Sequence, residues 1–327
     1  MISFLKKIAL VLLITSAVWS CKEDEKDPPV TPYSNVYQEL QNQSNLSLYL
    51  QAVEIAGLTD ELSADGITLL APTDSAFNVY LKGLDIDNIE GLHQFYGHSI
   101  FQNFVLYHVL EKKVKTMDVV NSYLPTAATD DNGDKLHAYT SSVNKQVYIN
   151  AYAGRIIEAD MEVESSVIHK INGVLTPLTL NGLIRVNPSL SKLKTAISQT
   201  QDNLEVLLNQ ENQSYTIICP NDVAVNSFFT EHGYTTWADL KKEYGNPALG
   251  NLLRYHILNG AIKAADLSNG LYYPLLGGHY FEIIKDNSGT ISIIDEKNSM
   301  PRPSITTTNI VAVNGTIHIA DRVLEHH

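Results

Sequence analysis

Residues 68–77 read TLLAPTDSAF and contain the pattern that decides the fold. The apolar run meets Pro72, which cannot donate a hydrogen bond to a neighbouring strand, so we expect a strand to end there. Thr73 suits the N-cap of a helix, and Asp74 suits its first turn, where a carboxylate interacts favourably with the helix dipole. The stretch therefore predicts a corner at which a strand passes directly into a helix.

This corner is repeated in the second half of the chain, where residues 216–225 read TIICPNDVAV. From Thr68 to Thr216 the offset is 148 residues. Three more landmarks recur in the same order at an offset of 148 or 149: Tyr96-Gly97 as Tyr244-Gly245, LYHVL (106–110) as RYHIL (254–258), and IHKINGVL (168–175) as IHIADRVL (317–324). Four ordered landmarks predict two copies of one fold.

The spacing sets the domain organisation. We predict a first copy over residues 34–182 and a second copy over 183–327, joined where turn residues cluster between Asn181-Gly182 and Asn187-Pro188. A chain of 327 residues fits two domains of about 150 residues, and its 44% hydrophobic content is typical of globular proteins. Each copy is therefore expected to bury a core of its own.

Two Tyr-His pairs are the first candidate sites: Tyr107 with His108, and Tyr255 with His256. Each histidine lies four and seven positions after apolar residues that repeat at helical spacing, which places it on the apolar stripe of a helix. One interpretation makes the pair a contact point for a partner. The other is a buried histidine whose ring nitrogens are hydrogen-bonded internally.

Other repeated polar residues are predicted to be structural. His169 and His318 lie on predicted strands, and Asp74 and Asp222 lie at the starts of helices. Because a metal site needs three or four converging ligands, and none are visible here, we predict no metal. Residues 130–134 (DDNGD) resemble part of a calcium loop, but a hairpin turn explains them better.

The N-terminal residues are typical of a secretion signal. Lys6 and Lys7 precede an apolar stretch over residues 8–18, which is too short to span a bilayer. It ends at Val18-Trp19-Ser20-Cys21, which resembles a bacterial lipobox, and the alternative is an ordinary secretory signal. The lipobox resemblance implies cleavage of residues 1–20 and lipidation of Cys21, and more than one acyl chain would give stable anchoring.

Residues 21–33 are predicted to be a lipidated tether. The acidic run over 22–27 resembles the signal that exports some lipoproteins to the outer face of the outer membrane, and the alternative interpretation is a solvated tether. Formal net charge is −13, and removal of Lys6 and Lys7 with the signal leaves −15. Such a chain repels phosphate backbones, so we expect no nucleic-acid partner and membrane contact through the lipid anchor alone.

The duplicated corner, the Tyr-His pairs and the final Ile-His segments together resemble the fasciclin (FAS1) family over residues 34–327. The resemblance implies an α+β fold of two tandem domains, each a β-sandwich or wedge with packed helices. Departures from the family pattern are Val225 for Phe, Asn172 for Asp, and Ser165-Ser166 for Asn-Gly. Family members commonly act as extracellular adhesion modules. In animals the Tyr-His region is associated with receptor contact, a role that we do not transfer to this chain.

Three functions stay open at this stage. The first is a non-catalytic surface lipoprotein that binds surface or matrix proteins. The second is a glycan-binding accessory of an outer-membrane nutrient-uptake system, with Tyr148, Tyr152, Tyr272, Tyr273 and Tyr280 as candidate stacking surfaces. The third is a periplasmic structural protein. Motifs for nucleophilic, zinc-dependent or phosphate-binding catalysis do not occur in the sequence, so we expect neither an enzyme nor a cofactor.

Overall fold

The computed structural model describes residues 35–327. Seven strands of the first copy form a closed ring. They are β1 (Thr68–Pro72), β2 (Val109–Leu110), β3 (Ser122–Thr129), β4 (Lys135–Val143), β5 (Gln146–Ile149), β6 (Gly154–Val163) and β7 (Ser166–Ile171). Consecutive strands pair antiparallel, and a parallel pairing of β1 with β7 closes the ring.

The second copy has the same strand order. Its strands are β8 (Tyr215–Pro220), β9 (Ile257–Asn259), β10 (Gly270–Tyr272), β11 (Phe281–Lys285), β12 (Ile291–Ile294), β13 (Ile305–Ala312) and β14 (Gly315–Ala320). Here the ring is divided into a four-stranded and a three-stranded sheet. Two isolated bridges, Leu258 to Pro274 and Ser292 to Ser304, join the two sheets where the first copy has paired strands.

Helices pack against one side of each ring. In the first copy they are α1 (Val36–Asn42), α2 (Ser47–Ala56), α3 (Asp74–Gly83), α4 (Ile89–Tyr96) and α5 (His98–Leu106). In the second copy they are α6 (Leu180–Val186), α7 (Ser191–Ser198), α8 (Leu204–Leu207), α9 (Asp222–His232), α10 (Trp237–Tyr244) and α11 (Pro247–Tyr255). The predicted α+β class with two tandem domains is confirmed.

The strand-to-helix corner forms as predicted in both copies. Strand β1 ends at Pro72, and the Thr73 hydroxyl accepts a hydrogen bond from the Ala76 N–H at 3.3 Å, which caps α3. In the second copy the Asn221 side chain accepts from the Ala224 N–H at 2.9 Å. Both caps satisfy one of the free N–H groups at a helix start.

Each copy has two apolar clusters. One lies between the helices and the ring, and in the first copy it includes Leu69, Phe77 and Phe104. The other lies inside the ring and includes Tyr107 and Leu110. The alternation of side chains along β1 explains the division, because neighbouring residues of a strand point to opposite faces.

The join between the copies differs from the prediction of a turn-rich segment. Helix α6 occupies it, because the Thr179 hydroxyl caps the helix by accepting from the Gly182 N–H at 3.2 Å. Leu180, Leu183 and Ile184 are fully buried in the core of the second copy. The predicted boundary after residue 182 falls inside this helix, and we propose to place it before α6.

Two minor features have simple structural roles. Asp130 and Asp134 close the hairpin between β3 and β4, where the Asp130 carboxylate accepts from the Asp134 N–H at 2.8 Å. Cys219 is fully buried, and burial raises the pKa of its thiol above the usual range, which makes it unreactive.

Within residues 35–327 no helix is both long enough and apolar enough to cross a bilayer.

Candidate functional site

The first Tyr-His pair lies at the end of α5. His108 is fully buried, and its Nε2 accepts a hydrogen bond from the Leu175 N–H at 2.9 Å. Its Nδ1 therefore carries the proton, and it donates to the Phe104 carbonyl at 3.0 Å. Burial lowers the pKa of His108 to about 4, so the ring is neutral at physiological pH. The ring thus ties the helix end to the segment that follows β7.

The second copy repeats this arrangement. The Nε2 of His256 accepts from the Leu324 N–H at 2.9 Å, and its Nδ1 donates to the Leu252 carbonyl at 2.8 Å. Burial lowers the pKa of His256 to about 4 as well. Since both ring nitrogens of each histidine are held by backbone groups, neither ring is free to act as a base.

The tyrosines of the two pairs are also buried. The Tyr107 hydroxyl donates to the His137 carbonyl at 2.8 Å, and the Tyr255 hydroxyl donates to the Tyr280 carbonyl at 2.7 Å. Neither tyrosine ring is exposed to solvent. We therefore infer that the Tyr-His pairs hold the helix layer to the ring and do not contact a partner in this conformation.

His169 and His318 form equivalent contacts on β7 and β14. The Nδ1 of His169 accepts from the Asp160 N–H at 3.0 Å, so its Nε2 donates to the Val114 carbonyl at 2.8 Å. His318 donates to the Ile262 carbonyl at 2.9 Å. Burial lowers the pKa of both rings. These contacts support the predicted structural role.

Asp74 lies at the start of α3 and also caps α2. Asp222 lies at the start of α9 and also caps α7. Asp74 accepts from the Leu48 N–H in α2 at 2.8 Å, and Asp222 accepts from the Lys192 N–H in α7 at 2.8 Å. Free N–H groups at helix starts favour a carboxylate. Each aspartate therefore fixes the angle between two helices, a role that the sequence did not predict.

Cys21 and the tether over residues 21–33 lie outside the described residues. The five tyrosines considered as stacking surfaces differ in exposure. Tyr152, Tyr273 and Tyr280 are 86%, 68% and 47% exposed, whereas Tyr148 and Tyr272 are half-buried. Tyr272 stacks on Phe281 with ring centroids 6.2 Å apart, so it belongs to the packing of the second copy.

A cavity of about 590 Å³ lies between the two copies, and we call it the interdomain cleft. Strands β3 and β4 of the first copy contribute Ser122, Tyr123, His137 and Tyr139, with Asn121 just before β3. The second copy contributes Asn187, Pro188 and Ser189 from the segment after α6, and Thr307, Thr308, Ile310 and Ile319 from β13 and β14. Its volume lies within the usual range for small-ligand sites.

Specific contacts fix the two walls of the interdomain cleft relative to each other. The Val311 N–H of β13 donates to His137 Nδ1 at 3.1 Å, and the Tyr123 hydroxyl donates to the Leu183 carbonyl in α6 at 2.8 Å. Burial lowers the pKa of His137 to about 4, so this contact persists at physiological pH. The sequence did not reveal the cleft, because Tyr123 and His137 belong to no repeated motif.

The surfaces of the two copies also differ at one turn, which lies between α4 and α5 in the first copy and between α10 and α11 in the second. In the first copy Phe95 at the end of α4 is 62% exposed, and Ile100 at the start of α5 is 61% exposed. At the equivalent positions, 148 residues later, the second copy has Glu243 and Ala248. The two side chains lie five residues apart at one helix–helix turn, and exposed apolar patches mark interaction sites.

Comparison with known proteins identifies the repeat. The fasciclin domain model matches residues 44–177 and 188–326. The chain is 25% identical to the transforming growth factor-beta-induced protein ig-h3 of Sus scrofa over 301 residues, which is 91% of this chain and 40% of that protein. It is 26% identical to Homo sapiens periostin over 306 residues, or 91% of this chain and 33% of periostin. The chain thus spans two fifths or less of these relatives.

A solved structure agrees with the fold. It is a FAS1 domain pair from the insect cell adhesion molecule fasciclin I, with a TM-score of 0.50 and 16% identity, covering 88% of this chain and 98% of that one. This likeness concerns the fold alone. The match of the domain model to both copies, the order of the repeated motifs and the paired architecture show that the chain belongs to the fasciclin family.

Proposed function

We propose that this protein is a non-catalytic, lipid-anchored lipoprotein of the cell surface, whose tandem fasciclin domains bind a protein partner outside the cell. The observation that carries the proposal is the exposed apolar corner formed by Phe95 and Ile100 on the first copy. The domain pair of an insect cell adhesion molecule has the same fold. Two linked modules also raise the effective concentration of a second contact once the first has formed.

The buried histidines and the cysteine within residues 35–327 support a binding role over a catalytic one. His108 and His256 are held at both ring nitrogens by the backbone, so they offer no general base. Cys219 is buried and protonated. Among residues 35–327 no group of three or more histidines, cysteines and carboxylates is arranged to hold a metal.

Transplanting the corner of the second copy onto the first would test the proposal. The double variant Phe95→Glu, Ile100→Ala carries the residues that the second copy has at these positions, so it should fold. We expect cell–cell aggregation or attachment to fall at least tenfold, since a few apolar anchors carry most of the energy of an interface. Val206→Glu, at a 57% exposed position of the second copy, is the matched control. Unchanged aggregation in the double variant would refute the role of this corner.

The membrane anchor needs its own test. We expect Cys21→Ser to release the protein from the membrane fraction, because the acyl chains supply the membrane affinity. Protease treatment of intact cells should remove the wild-type protein from the outer face. Protection of the protein in intact cells, with digestion after lysis, would favour the periplasmic alternative.

A second candidate function is a glycan-binding accessory of a nutrient-uptake system. The interdomain cleft favours it, because ligand sites are concave and the cleft has the volume of such a site. Tyr152 and Tyr273 are exposed and could add stacking surfaces. Tyr273→Ala is a cleaner test of stacking than a change at Tyr272, whose ring is part of the packing against Phe281.

A further inference from the structure

The interdomain cleft has an uncharged lining. None of the residues that surround it is an aspartate, glutamate, lysine or arginine, although 18% of the chain is charged. Its single titratable imidazole, His137, is bound to the backbone of the other copy through Nδ1. A charged ligand would lose its hydration on entry and gain no counter-charge, which is unfavourable. The lining therefore selects against phosphates, carboxylates and ammonium groups.

The same lining is rich in neutral groups that can both donate and accept hydrogen bonds. Two hydroxyls, those of Thr307 and Thr308, lie on exposed positions of β13, and Asn121 lies opposite on the first copy. In the described part of the chain neither threonine hydroxyl has a protein partner. A ligand made of hydroxyl groups matches such a surface, because each of its groups can also serve as donor and acceptor.

Tyr139 is the most informative residue of the cleft. It is only 3% exposed, and a tyrosine buried to this extent usually has a hydrogen-bond partner for its hydroxyl. Tyr139 lines the cleft, and within residues 35–327 its hydroxyl forms no hydrogen bond to the protein, so this hydroxyl is free to bond to a ligand. A ligand hydroxyl at this place would supply the missing partner.

Two aromatic rings shape the floor of the cleft. Tyr123 and Tyr139 pack edge to face, with ring centroids 4.9 Å apart and an interplanar angle of 65°. The hydrogen bond from Tyr123 to the Leu183 carbonyl holds this pair in place. The Tyr139 ring is buried, whereas Tyr123 is half-buried and presents part of its ring beside polar groups, which suits the C–H face of a sugar ring.

We propose that the interdomain cleft binds a short segment of an uncharged saccharide, with the Tyr139 hydroxyl and the Thr307 and Thr308 hydroxyls as hydrogen-bonding partners. The inference rests on the second candidate function, glycan binding, and names its ligand class and its site. Sugars that carry carboxylate or sulfate groups are excluded by the uncharged lining. Both copies are needed, because each supplies one wall.

The test is a binding measurement on the full chain, purified in detergent, against an array of immobilised neutral glucans, mannans, galactans and xylans. Polygalacturonate and heparin serve as charged controls. We expect binding to at least one neutral polysaccharide, with a dissociation constant that changes less than about twofold between 0.05 and 0.5 M NaCl, since salt screens only interactions between charges.

The variants separate binding from folding. Tyr139→Phe removes a hydroxyl that has no protein partner, so thermal stability should be unchanged, while affinity should fall about fivefold. Combining it with Thr308→Val should weaken binding at least tenfold. The matched controls are Tyr244→Phe, at a 64% exposed tyrosine outside the cleft, and the Phe95→Glu, Ile100→Ala variant. Both controls should bind as the wild type does.

Three results would overturn the inference, and they differ in their consequences for the glycan-binding function. Neutral glycan binding that resists the cleft variants, or that is lost with Tyr273→Ala alone, would place the site elsewhere and leave the glycan-binding function standing. Binding to polygalacturonate or heparin only would refute the ligand class. Binding to no glycan would remove both the cleft proposal and the second candidate function, and would leave protein-mediated adhesion untouched.

Discussion

The two copies build the same hairpin before their last strand with different chemistry. In the second copy the Asn314 carbonyl accepts from the Tyr215 N–H at 3.1 Å, and Gly315 adopts a φ of 144°. In the first copy the Ser166 hydroxyl accepts from the Ile67 N–H at 3.2 Å. The same donor at the start of the strand is satisfied by a carbonyl in one copy and by a side chain in the other. Pairing of the first and last strands thus constrains the fold more than the turn sequence does.

Among the substitutions that test this comparison, Gly315→Ala is expected to cause the largest loss of stability. A Cβ atom at this position would lie 1.9 Å from the Tyr215 carbonyl oxygen, so the backbone would have to move. We expect the free energy of unfolding of the second copy to fall by roughly 3–5 kcal/mol. Trp237, the one tryptophan outside the predicted signal segment, is buried in the second copy and reports its urea unfolding by fluorescence.

The matched change in the first copy is Ser166→Ala. It leaves the backbone in place and removes one hydrogen bond, so we expect a loss of about 1 kcal/mol. Similar losses for Gly315→Ala and Ser166→Ala would show that the second copy can relax its turn, and would contradict the close packing described for Gly315.

Acidification should lower the stability of both copies through their equivalent histidines, His108 and His256. The pKa of His108 and of His256 is lowered by burial to about 4, below the value of about 6.5 in an unfolded chain. Between these values the unfolded state binds more protons, so stability is complete above pH 6.5 and is lost as the pH falls toward 4. We expect His108 and His256 each to contribute a loss of about 2 kcal/mol between pH 7 and pH 5.

Urea unfolding at the two pH values checks this expectation, with Trp237 fluorescence for the second copy and amide hydrogen exchange for both. A copy whose stability does not change between pH 7 and pH 5 would show that its histidine is reachable by solvent when charged. The variant His256→Gln should reduce the pH dependence of the second copy only, because His256 belongs to its core.

The smallest expected effect comes from the helix caps. The Ser47 hydroxyl donates to Asp74 at 2.7 Å, and the Ser191 hydroxyl donates to Asp222 at 2.5 Å. Ser47→Ala and Ser191→Ala should each cost about 0.5–1 kcal/mol, because both bonds are exposed. Thermal unfolding of the single variants measures this, and a difference above about 1 kcal/mol between them would show that the two corners are not energetically equivalent.

The sequence predicted the features that depend on neighbouring residues. Pro72 and Thr73 predicted the end of β1 and the cap of α3, and both are confirmed. The repeated segment around His169 and His318 correctly predicted the final strands β7 and β14. These features depend on local backbone and hydrogen-bonding preferences, which are visible in one chain segment at a time.

Features that depend on distant residues could not be predicted. The interdomain cleft needs His137 of β4 beside Val311 of β13, which are 174 residues apart. Helix α6 replaced the expected turn at the join because Leu180 and Leu183 are buried by strands and helices of the second copy. Neither contact leaves a pattern within one repeat, so the repeats predicted two domains but not how they meet.

The segment that links the two copies has a consequence for resistance to proteolysis. The Val313 N–H donates to the Leu178 carbonyl at 3.0 Å, and the Leu180 N–H donates to the Asn314 side chain at 2.7 Å. Proteases cut chain that can be pulled into their active sites in extended form, and such chain is normally an exposed loop. With its backbone bonded to a hairpin at Leu178 and Leu180, and with Leu180 buried, this link resists such extension, so we expect proteases to leave the pair undivided.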